Sequence, residues 1–222
     1  MVRTTGLFDS FDNLDQISAE SIAYWIKPAS QLAFLENYLA NRILYPRTLS
    51  LTANDMKIDL AILREALKIN GPKKSTKTNA LLGDNPFLNI TLRKVLIPAR
   101  FTDFIPDLIS LTWAFIDALL FDRKKEDYFQ DIWTLVLTGD TDEIIGSLML
   151  PQFQGLTGAI KVSMFGKSYQ IKQGGITAIP CSQDRCEIAF KIQNGKMLGK
   201  NESAVEVYGG KLGLIIDGRK IL

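Results

Sequence analysis

The sequence contains no histidine, and this absence removes several kinds of active site. Its 222 residues include 26 lysines and arginines and 24 aspartates and glutamates, but no imidazole. Histidine-based zinc sites, histidine general bases and Ser-His-Asp triads are therefore excluded. A stand-alone hydrolase or transferase would need another nucleophile and base, and we identify no complete pair; a Ser-Lys arrangement is the alternative that stays open. We assign no catalytic residue and no metal ligand.

Cysteine is almost as scarce, since the chain has only Cys181 and Cys186. The two side chains could form a disulfide or supply half of a metal site, but two thiolates without other soft ligands make a poor zinc site. In the cytoplasm, thiols are kept reduced. We therefore predict two reduced, structural cysteines.

A charge imbalance and long apolar runs are also missing. The net charge of +2 gives no electrostatic reason to expect nucleic acid or another polyanion as a partner. Residues 1–10 are polar and mixed, unlike a secretory signal. The longest apolar stretch, Leu108 to Phe121, contains Asp117 and is shorter than the ~20 residues of a membrane span. These features predict a cytoplasmic protein that binds neither nucleic acid nor a membrane.

The whole chain is 46% apolar, which provides for a substantial core, and helical periodicity is present in its first half. Capping residues precede a short helix at about residues 18–25. Two apolar stripes with helical spacing follow, and both end at turn residues. Their members are Leu32, Leu35, Leu39 and Ile43, and then Met56, Leu60, Leu63 and Leu67. Residues 108–121 are apolar nearly all round and predict a buried helix.

Strands alternate with these helices up to residue 150. Core strands are predicted at Asn89–Ala99 and Trp133–Leu137, and a short helix at Thr141–Met149, capped by Thr141. This order predicts an α/β lobe over residues 1–150 with parallel strands. We further predict a short strand at residues 2–5, a surface loop at residues 73–79 and a solvated connection at residues 123–127.

From Pro151 onward the pattern changes to short alternating runs separated by glycine or Asn-Gly turns, which predicts an all-β domain over residues 151–222. Such spacing is typical of a small antiparallel β-barrel or sandwich. The stretch Val205 to Leu222 has apolar alternation, a break at Gly209-Gly210 and a turn at Asp217-Gly218. This pattern predicts a terminal β-hairpin.

Ligands of α/β folds commonly bind at the carboxyl ends of strands. Of the two predicted strand ends, only Thr138-Gly139-Asp140 contains a glycine. Thr138, Gly139 and Asp140 are therefore our candidate cofactor-binding residues, for a nucleotide or a metal, and the alternative is a plain turn and cap. The pairs Gly174-Gly175 and Gly209-Gly210 precede no predicted helix and are interpreted as turn or bulge glycines. Asp103 and Asp107 are interpreted as capping and surface residues.

Several segments resemble the glutamate mutase L family. Residues 36–68, ENYLANRILYPRTLSLTANDMKIDLAILREALK, are similar to that family's helix pair, with its YL-x-N and AREAL motifs. The terminal VEVYGGKLGLIIDGRKIL is similar to its closing VEGG-x-LG-x-x-IDARGRPL. Residues 133–150 resemble its strand-plus-helix TLALD…LLPALGALA, and residues 2–7 resemble RTVEGDLGM. The order of the four segments is kept.

The resemblance implies a partial actin-like (ribonuclease H-like) lobe from the actin/Hsp70-like ATPase superfamily. It also implies a reactivating or chaperone-like role beside cobalamin-dependent mutases. The lobe that carries the family's phosphate loop has no counterpart in this sequence. The family's GDLG is replaced by Thr5-Gly6-Leu7-Phe8, and its strand-end Gly-Gly by Ile97-Pro98-Ala99-Arg100, which disfavours nucleotide binding there. No nucleotide-binding residue of the family carries over.

The leading functional hypothesis is a non-catalytic interaction or assembly subunit. Half of a two-lobed fold is expected to leave an apolar face for a protein partner or for self-association. The alternative is a lobe that binds ATP or ADP only when a separate chain or a missing lobe completes the site. We expect no cofactor under the first hypothesis and ATP or ADP under the second.

Overall fold

The computed structural model describes residues 7–9, 11–26, 31–70, 92–120, 129–155 and 157–219. The predicted features at residues 2–5, 73–79 and 123–127 lie outside these ranges. The helices are α1 (Ala19–Ile26), α2 (Leu32–Leu44), α3 (Ala53–Asn70) and α4 (Leu108–Leu120), with 3-10 turns at Leu14–Gln16 and Ala99–Asp103. The strands are β1 (Leu92–Pro98), β2 (Phe129–Thr138), β3 (Glu143–Met149), β4 (Gln152–Phe153), β5 (Ala159–Met164), β6 (Lys167–Lys172), β7 (Ile176–Ile179), β8 (Arg185–Gln193), β9 (Gly195–Lys196), β10 (Glu202–Tyr208) and β11 (Gly213–Asp217).

The chain forms two compact units, which we name the helical unit and the sheet unit. The helical unit contains Met1–Asn85 and Arg100–Arg123, and the sheet unit contains Pro86–Ala99 and Lys124–Leu222. The boundary predicted near residue 150 does not coincide with this division. The physical reason is strand pairing, because β7 and β11, from the predicted second domain, join β1, β2 and β3 in one sheet.

Four of the five predicted helices are confirmed, and their ends follow from local chemistry. Before α3, the Asp55 amide donates to Thr52 Oγ1 at 3.1 Å and the Thr52 amide donates to Asp55 Oδ2 at 3.0 Å. This reciprocal capping box satisfies amides that the first helical turn leaves without partners. Asp107 caps α4 by accepting from the amides of Ile109 and Ser110, which confirms its predicted capping role.

A five-stranded sheet runs in the order β1-β2-β3-β11-β7. The pairs β1–β2 and β3–β11 are parallel, whereas β2–β3 and β11–β7 are antiparallel. The predicted strands at β1 and β2 are confirmed, and so is their parallel pairing. The fold thus combines helices with parallel and antiparallel pairing, and the expectation of parallel strands holds for part of the sheet.

The helix predicted at Thr141–Met149 is wrong, because Glu143–Met149 forms strand β3, antiparallel to β2. Every residue from Ile145 to Met149 is buried, so the segment lacks the exposed polar face that would distinguish a helical period from a strand. Gly146 fits only the strand. A Cβ at this position would lie 2.4 Å from the Gly213 carbonyl oxygen, so glycine allows the backbone of β11 to approach.

A four-stranded antiparallel sheet, in the order β10-β8-β5-β6, lies against the larger sheet and shares one apolar core with it. Alternation places Ile188 and Phe190 of β8 in this core, together with Met149 and Leu214 from the five-stranded sheet. The predicted antiparallel strands are therefore present, and the four-stranded sheet packs face to face against the five-stranded sheet. Neither of these two sheets closes into a barrel in the described part of the chain.

The predicted terminal hairpin is also wrong. Strand β10 pairs with β8 in the four-stranded sheet, while β11 pairs with β3 and β7 in the other sheet. Gly209 and Gly210 carry the chain from one layer to the next. A Cβ on Gly209 would lie 2.2 Å from the Gln183 carbonyl oxygen, so this crossing requires a residue without a side chain.

Candidate interaction site

The last residue of α2 and the connection to α3 expose large apolar side chains, and we call residues 44–51 the apolar loop. Leu44 is 69% exposed, Tyr45 65%, Leu49 55% and Leu51 87%. Single exposed apolar residues are common on protein surfaces, but several within one short segment usually indicate an interaction site. The apolar loop is therefore the candidate functional site of the helical unit.

A buried ion pair holds the base of this loop. Arg42 of α2 donates from Nε to Asp59 Oδ1 at 2.8 Å and from Nη2 to Asp59 Oδ2 at 2.5 Å, and both residues are buried. Arg42 Nη1 also donates to the carbonyl oxygen of Thr48 inside the loop. Ser50 Oγ donates to Asp59 Oδ2 at 2.5 Å. The loop is thus fastened at two points to the helices on either side.

Tyr38 completes the polar cluster around this ion pair. Its hydroxyl donates to Asp59 Oδ1 at 3.1 Å and accepts from Arg42 Nη2 at 2.7 Å. Burial raises the pKa of the Tyr38 hydroxyl, and the negative charge of Asp59 raises it further. Burial also raises the pKa of Asp59, although Ser50 and Arg42 oppose that shift by stabilising its charge. The cluster is fully hydrogen-bonded and contains no free nucleophile, which fits a structural role.

The loop itself has a defined turn. The Thr48 amide donates to the Tyr45 carbonyl oxygen at 3.1 Å, and Thr48 Oγ1 donates to the same oxygen at 2.9 Å. Pro46 occupies the second position of this turn, where its fixed φ is favourable. The apolar side chains are therefore displayed on an ordered backbone, which lowers the conformational entropy lost when a partner binds.

A second polar cluster fastens α1 and α4 to α3. Trp25 Nε1 donates to Glu65 Oε1 at 2.7 Å, and Lys68 Nζ lies 2.8 Å from the same oxygen. Arg64 Nε donates to Asp117 Oδ2 at 2.8 Å. Since each charge in this cluster has an opposite charge nearby, it supports helix packing and offers no catalytic group.

The structure places Thr138, Gly139 and Asp140 at the end of β2 and in the turn that leads into β3. Gly139 and Asp140 are exposed. No helix follows them, because the predicted helix is strand β3. A phosphate at this turn would therefore lack the amides and dipole of a helix N-terminus. The glycine pairs Gly174-Gly175 and Gly209-Gly210 likewise precede strands, as predicted.

The prediction of two reduced cysteines is wrong in this structure, because Cys181 and Cys186 form a disulfide. Both cysteines are buried at the two ends of the connection between β7 and β8. This connection turns back on itself, which brings the two sulfur atoms together. The spacing of two cysteines in a sequence does not reveal such a turn.

Sequence reasoning did not single out the apolar loop or its ion pair. The first apolar stripe is predicted to end at turn residues, and the segment beyond it is assigned no function, although Leu44, Tyr45, Leu49 and Leu51 lie close together in the sequence. That local density of large apolar residues is the signal that was available. For Arg42 and Asp59, the only sequence signal is a charged residue beside each apolar stripe.

Among the described residues, no helix is long and apolar enough to cross a membrane. In the same ranges, no group of three or more histidines, cysteines, aspartates or glutamates is arranged to hold a metal ion. Comparison of the chain with protein-family models, with curated proteins and with solved structures finds no match.

Proposed function

We propose that this chain is a non-catalytic interaction or assembly subunit that binds a protein partner through the apolar loop. The observation that carries the proposal is the exposure of Leu44, Tyr45, Leu49 and Leu51 on one ordered connection. Complete burial of one such side chain contributes about 1.5–3 kcal/mol. Burial of all four is thus comparable with the roughly 4–15 kcal/mol that association costs in lost translational and rotational freedom.

The loop also favours a particular kind of partner. The side chain of Arg47 is 65% exposed and lies within the loop, 3.8 Å from Asp9 Oδ2. Two copies meeting symmetrically through this loop would bring two Arg47 side chains toward each other. A different chain, with an apolar groove and a carboxylate at its rim, fits the loop better.

The proposal also includes the family relationship that the sequence resemblance implies. We infer a chain derived from a glutamate mutase L-like protein, with an actin-like lobe and a chaperone-like role beside a cobalamin-dependent mutase. The conserved order of the four similar segments supports this inference. Residues 133–150 depart from it, because the family's strand-plus-helix is here two strands. A purified cobalamin-dependent mutase is therefore the first partner to test.

Calorimetry measures the affinity for that mutase of the wild type and of the double variant Leu49→Ser/Leu51→Ser. We expect the double variant to lose at least about tenfold in affinity, since two exposed anchors are removed. The matched control is Leu96→Ser on β1, where Leu96 is 55% exposed in the sheet unit. This control should bind like the wild type.

Size-exclusion chromatography with light scattering separates the remaining outcomes. Concentration-dependent dimers that the double variant abolishes would assign the loop to self-association instead of a different partner. A monomer that binds no mutase contradicts the inferred ancestry. Binding that is equally strong in the wild type and the double variant contradicts the assignment to the loop.

A further inference from the structure

The outer face of the four-stranded sheet has a shallow depression of about 260 Å³ beside the turn between β5 and β6. Its floor is a row of small residues on three adjacent strands, in which Ser163 pairs with Ala189 and Ala189 pairs with Ala204. Phe165 and Glu187 line the same depression. An aromatic ring and a carboxylate thus border a floor that has no bulky side chain.

Phe165 occupies an unusual position for a phenylalanine. Met164 pairs with Lys167, so Phe165 and Gly166 form a two-residue turn, with φ angles of 51° and 73°. The first position of such a turn favours asparagine, aspartate or glycine, because a side chain in the left-handed region is strained. The phenyl ring is also 54% exposed, so burial within the chain does not explain it. Unlike Leu198 at the other turn of this kind, the Phe165 ring lines the depression and is available to a ligand there.

Glu187 faces a second carboxylate. It pairs with Glu206 across the β8–β10 ladder, and like charges in this arrangement repel each other. Arg185 Nη1 lies 3.5 Å from Glu206 Oε2, whereas Glu187 has no ion pair among the described residues. On the same outer face of the sheet, the cross-strand row next to Ser163 and Ala189 contains Lys161 and Lys191. Lys191 pairs with Glu202 at 3.0 Å.

We propose that this depression binds the guanidinium group of an arginine presented by an extended segment of a partner protein. The planar guanidinium stacks on the Phe165 ring and donates to the Glu187 carboxylate, and its charge offsets the repulsion between Glu187 and Glu206. The apolar stem of the arginine lies over Ala189 and Ala204. This site is on the sheet unit, and the proposal does not depend on the apolar loop.

An NMR titration of the full chain tests the proposal. The probe is the blocked tripeptide acetyl-Gly-Arg-Gly-amide. We expect saturable shifts of the backbone amides of Phe165, Glu187 and Ala189, with a dissociation constant on the order of millimolar. Its isosteric neutral control contains citrulline in place of arginine and should cause no saturable shift.

Two variants and one matched control distinguish binding from folding. Phe165→Asn removes the ring but suits the left-handed turn, and Glu187→Gln removes only the charge. Each should weaken binding at least about tenfold. The control is Leu198→Asn, at a second turn where Leu198 and Gly199 have φ angles of 54° and 73°. It should bind the peptide like the wild type.

Several results would overturn the proposal. These are an absence of saturable shifts at the three amides, equal binding of the citrulline peptide, or wild-type affinity in Phe165→Asn. Equal affinity for acetyl-Gly-Lys-Gly-amide would overturn the preference for a guanidinium. Shifts confined to other surfaces would place arginine binding elsewhere.

Discussion

Arg42 and Asp59 form a bidentate ion pair across the interface of α2 and α3, 17 residues apart in sequence. Their side chains are only 6% and 2% exposed. Asp59 additionally accepts from Ser50 and Tyr38, and Arg42 donates to the Thr48 carbonyl oxygen. The pair therefore links two helices and the apolar loop, and its loss should affect stability and display of the loop together.

The first prediction concerns removal of one partner of this pair. Arg42→Met leaves the Asp59 carboxylate buried without a counter-charge, which typically costs about 3–5 kcal/mol. We expect a loss of that size in the free energy of unfolding, measured by urea denaturation at pH 7. The double variant Arg42→Met/Asp59→Leu should recover part of the loss because it removes the buried charge. A double variant that is less stable than Arg42→Met would contradict this account.

The same variant has a predictable pH dependence. Burial already raises the pKa of Asp59 above its ordinary value of 3.8, and removal of Arg42 raises it further. In the pH range between the unfolded and the folded pKa, the folded state binds more protons, so stability increases as pH falls. The stability deficit of Arg42→Met relative to the wild type should therefore shrink from pH 8 to pH 5. A constant deficit would mean that Asp59 stays ionised.

The two left-handed turns give a stability prediction of opposite sign. Phe165→Asn and Leu198→Asn each replace an exposed apolar residue by one that tolerates a positive φ. Each variant should unfold at a higher urea concentration, with a gain of about 1 kcal/mol. Asn194 already has a φ of 55°, so Asn194→Leu is the reverse change. It should lose at least a similar amount, because it also removes the hydrogen bond from Asn194 Nδ2 to the Thr157 carbonyl oxygen.

Of the two glycines that connect β10 to β11, Gly209 should be the more sensitive to substitution, because backbone atoms lie closest to it. In Gly209→Ala the new Cβ would lie 2.2 Å from the Gln183 carbonyl oxygen and 2.4 Å from that of Cys181. We expect a loss of about 3 kcal/mol or more, because backbone atoms must shift. Gly139→Ala is the matched control, with its nearest contact at 3.4 Å, and should change stability by less than about 0.5 kcal/mol.

The disulfide gives a further test. A bridge between cysteines five residues apart restricts a short loop in the unfolded chain and stabilises the fold by about 2 kcal/mol. A reductant should lower the unfolding midpoint of the wild type but not that of Cys181→Ser/Cys186→Ser. Two titratable thiols in the unreduced, unfolded protein would show that the bridge does not form.

Helices were predictable from this sequence because their periodicity is local. Leu35 and Leu39 lie one turn apart on α2 and are buried, as their spacing indicates. Turn chemistry was equally local at Asn194 and Gly174, which both adopt a positive φ. Nucleotide binding by the turn at residues 138–140 stays a prediction. What the structure corrects is the element after this turn, which is strand β3 and not a helix.

Strand partners were not predictable, because pairing depends on residues far apart in the chain. The segment around Gly146 is buried on both sides and has no polar face, so its period is ambiguous. Strands β10 and β11 are adjacent in sequence and separated by Gly209-Gly210. This sequence pattern is the same as that of a β-hairpin. They lie in different sheets because β10 pairs with β8 and β11 pairs with β3, and no local sequence pattern predicts those pairings.

Strand β11 lies between β3 and β7 in the five-stranded sheet. Until residue 217 has been synthesised, β3 and β7 have no neighbour to connect them, and their facing edges stay unpaired. A nascent chain that ends between residues 179 and 213 therefore carries two open strand edges, which makes it prone to non-native pairing at that stage. Pairing of β3 and β7 with β11 thus follows the synthesis of residue 217, and a chaperone that shields β3 would have to act before that step.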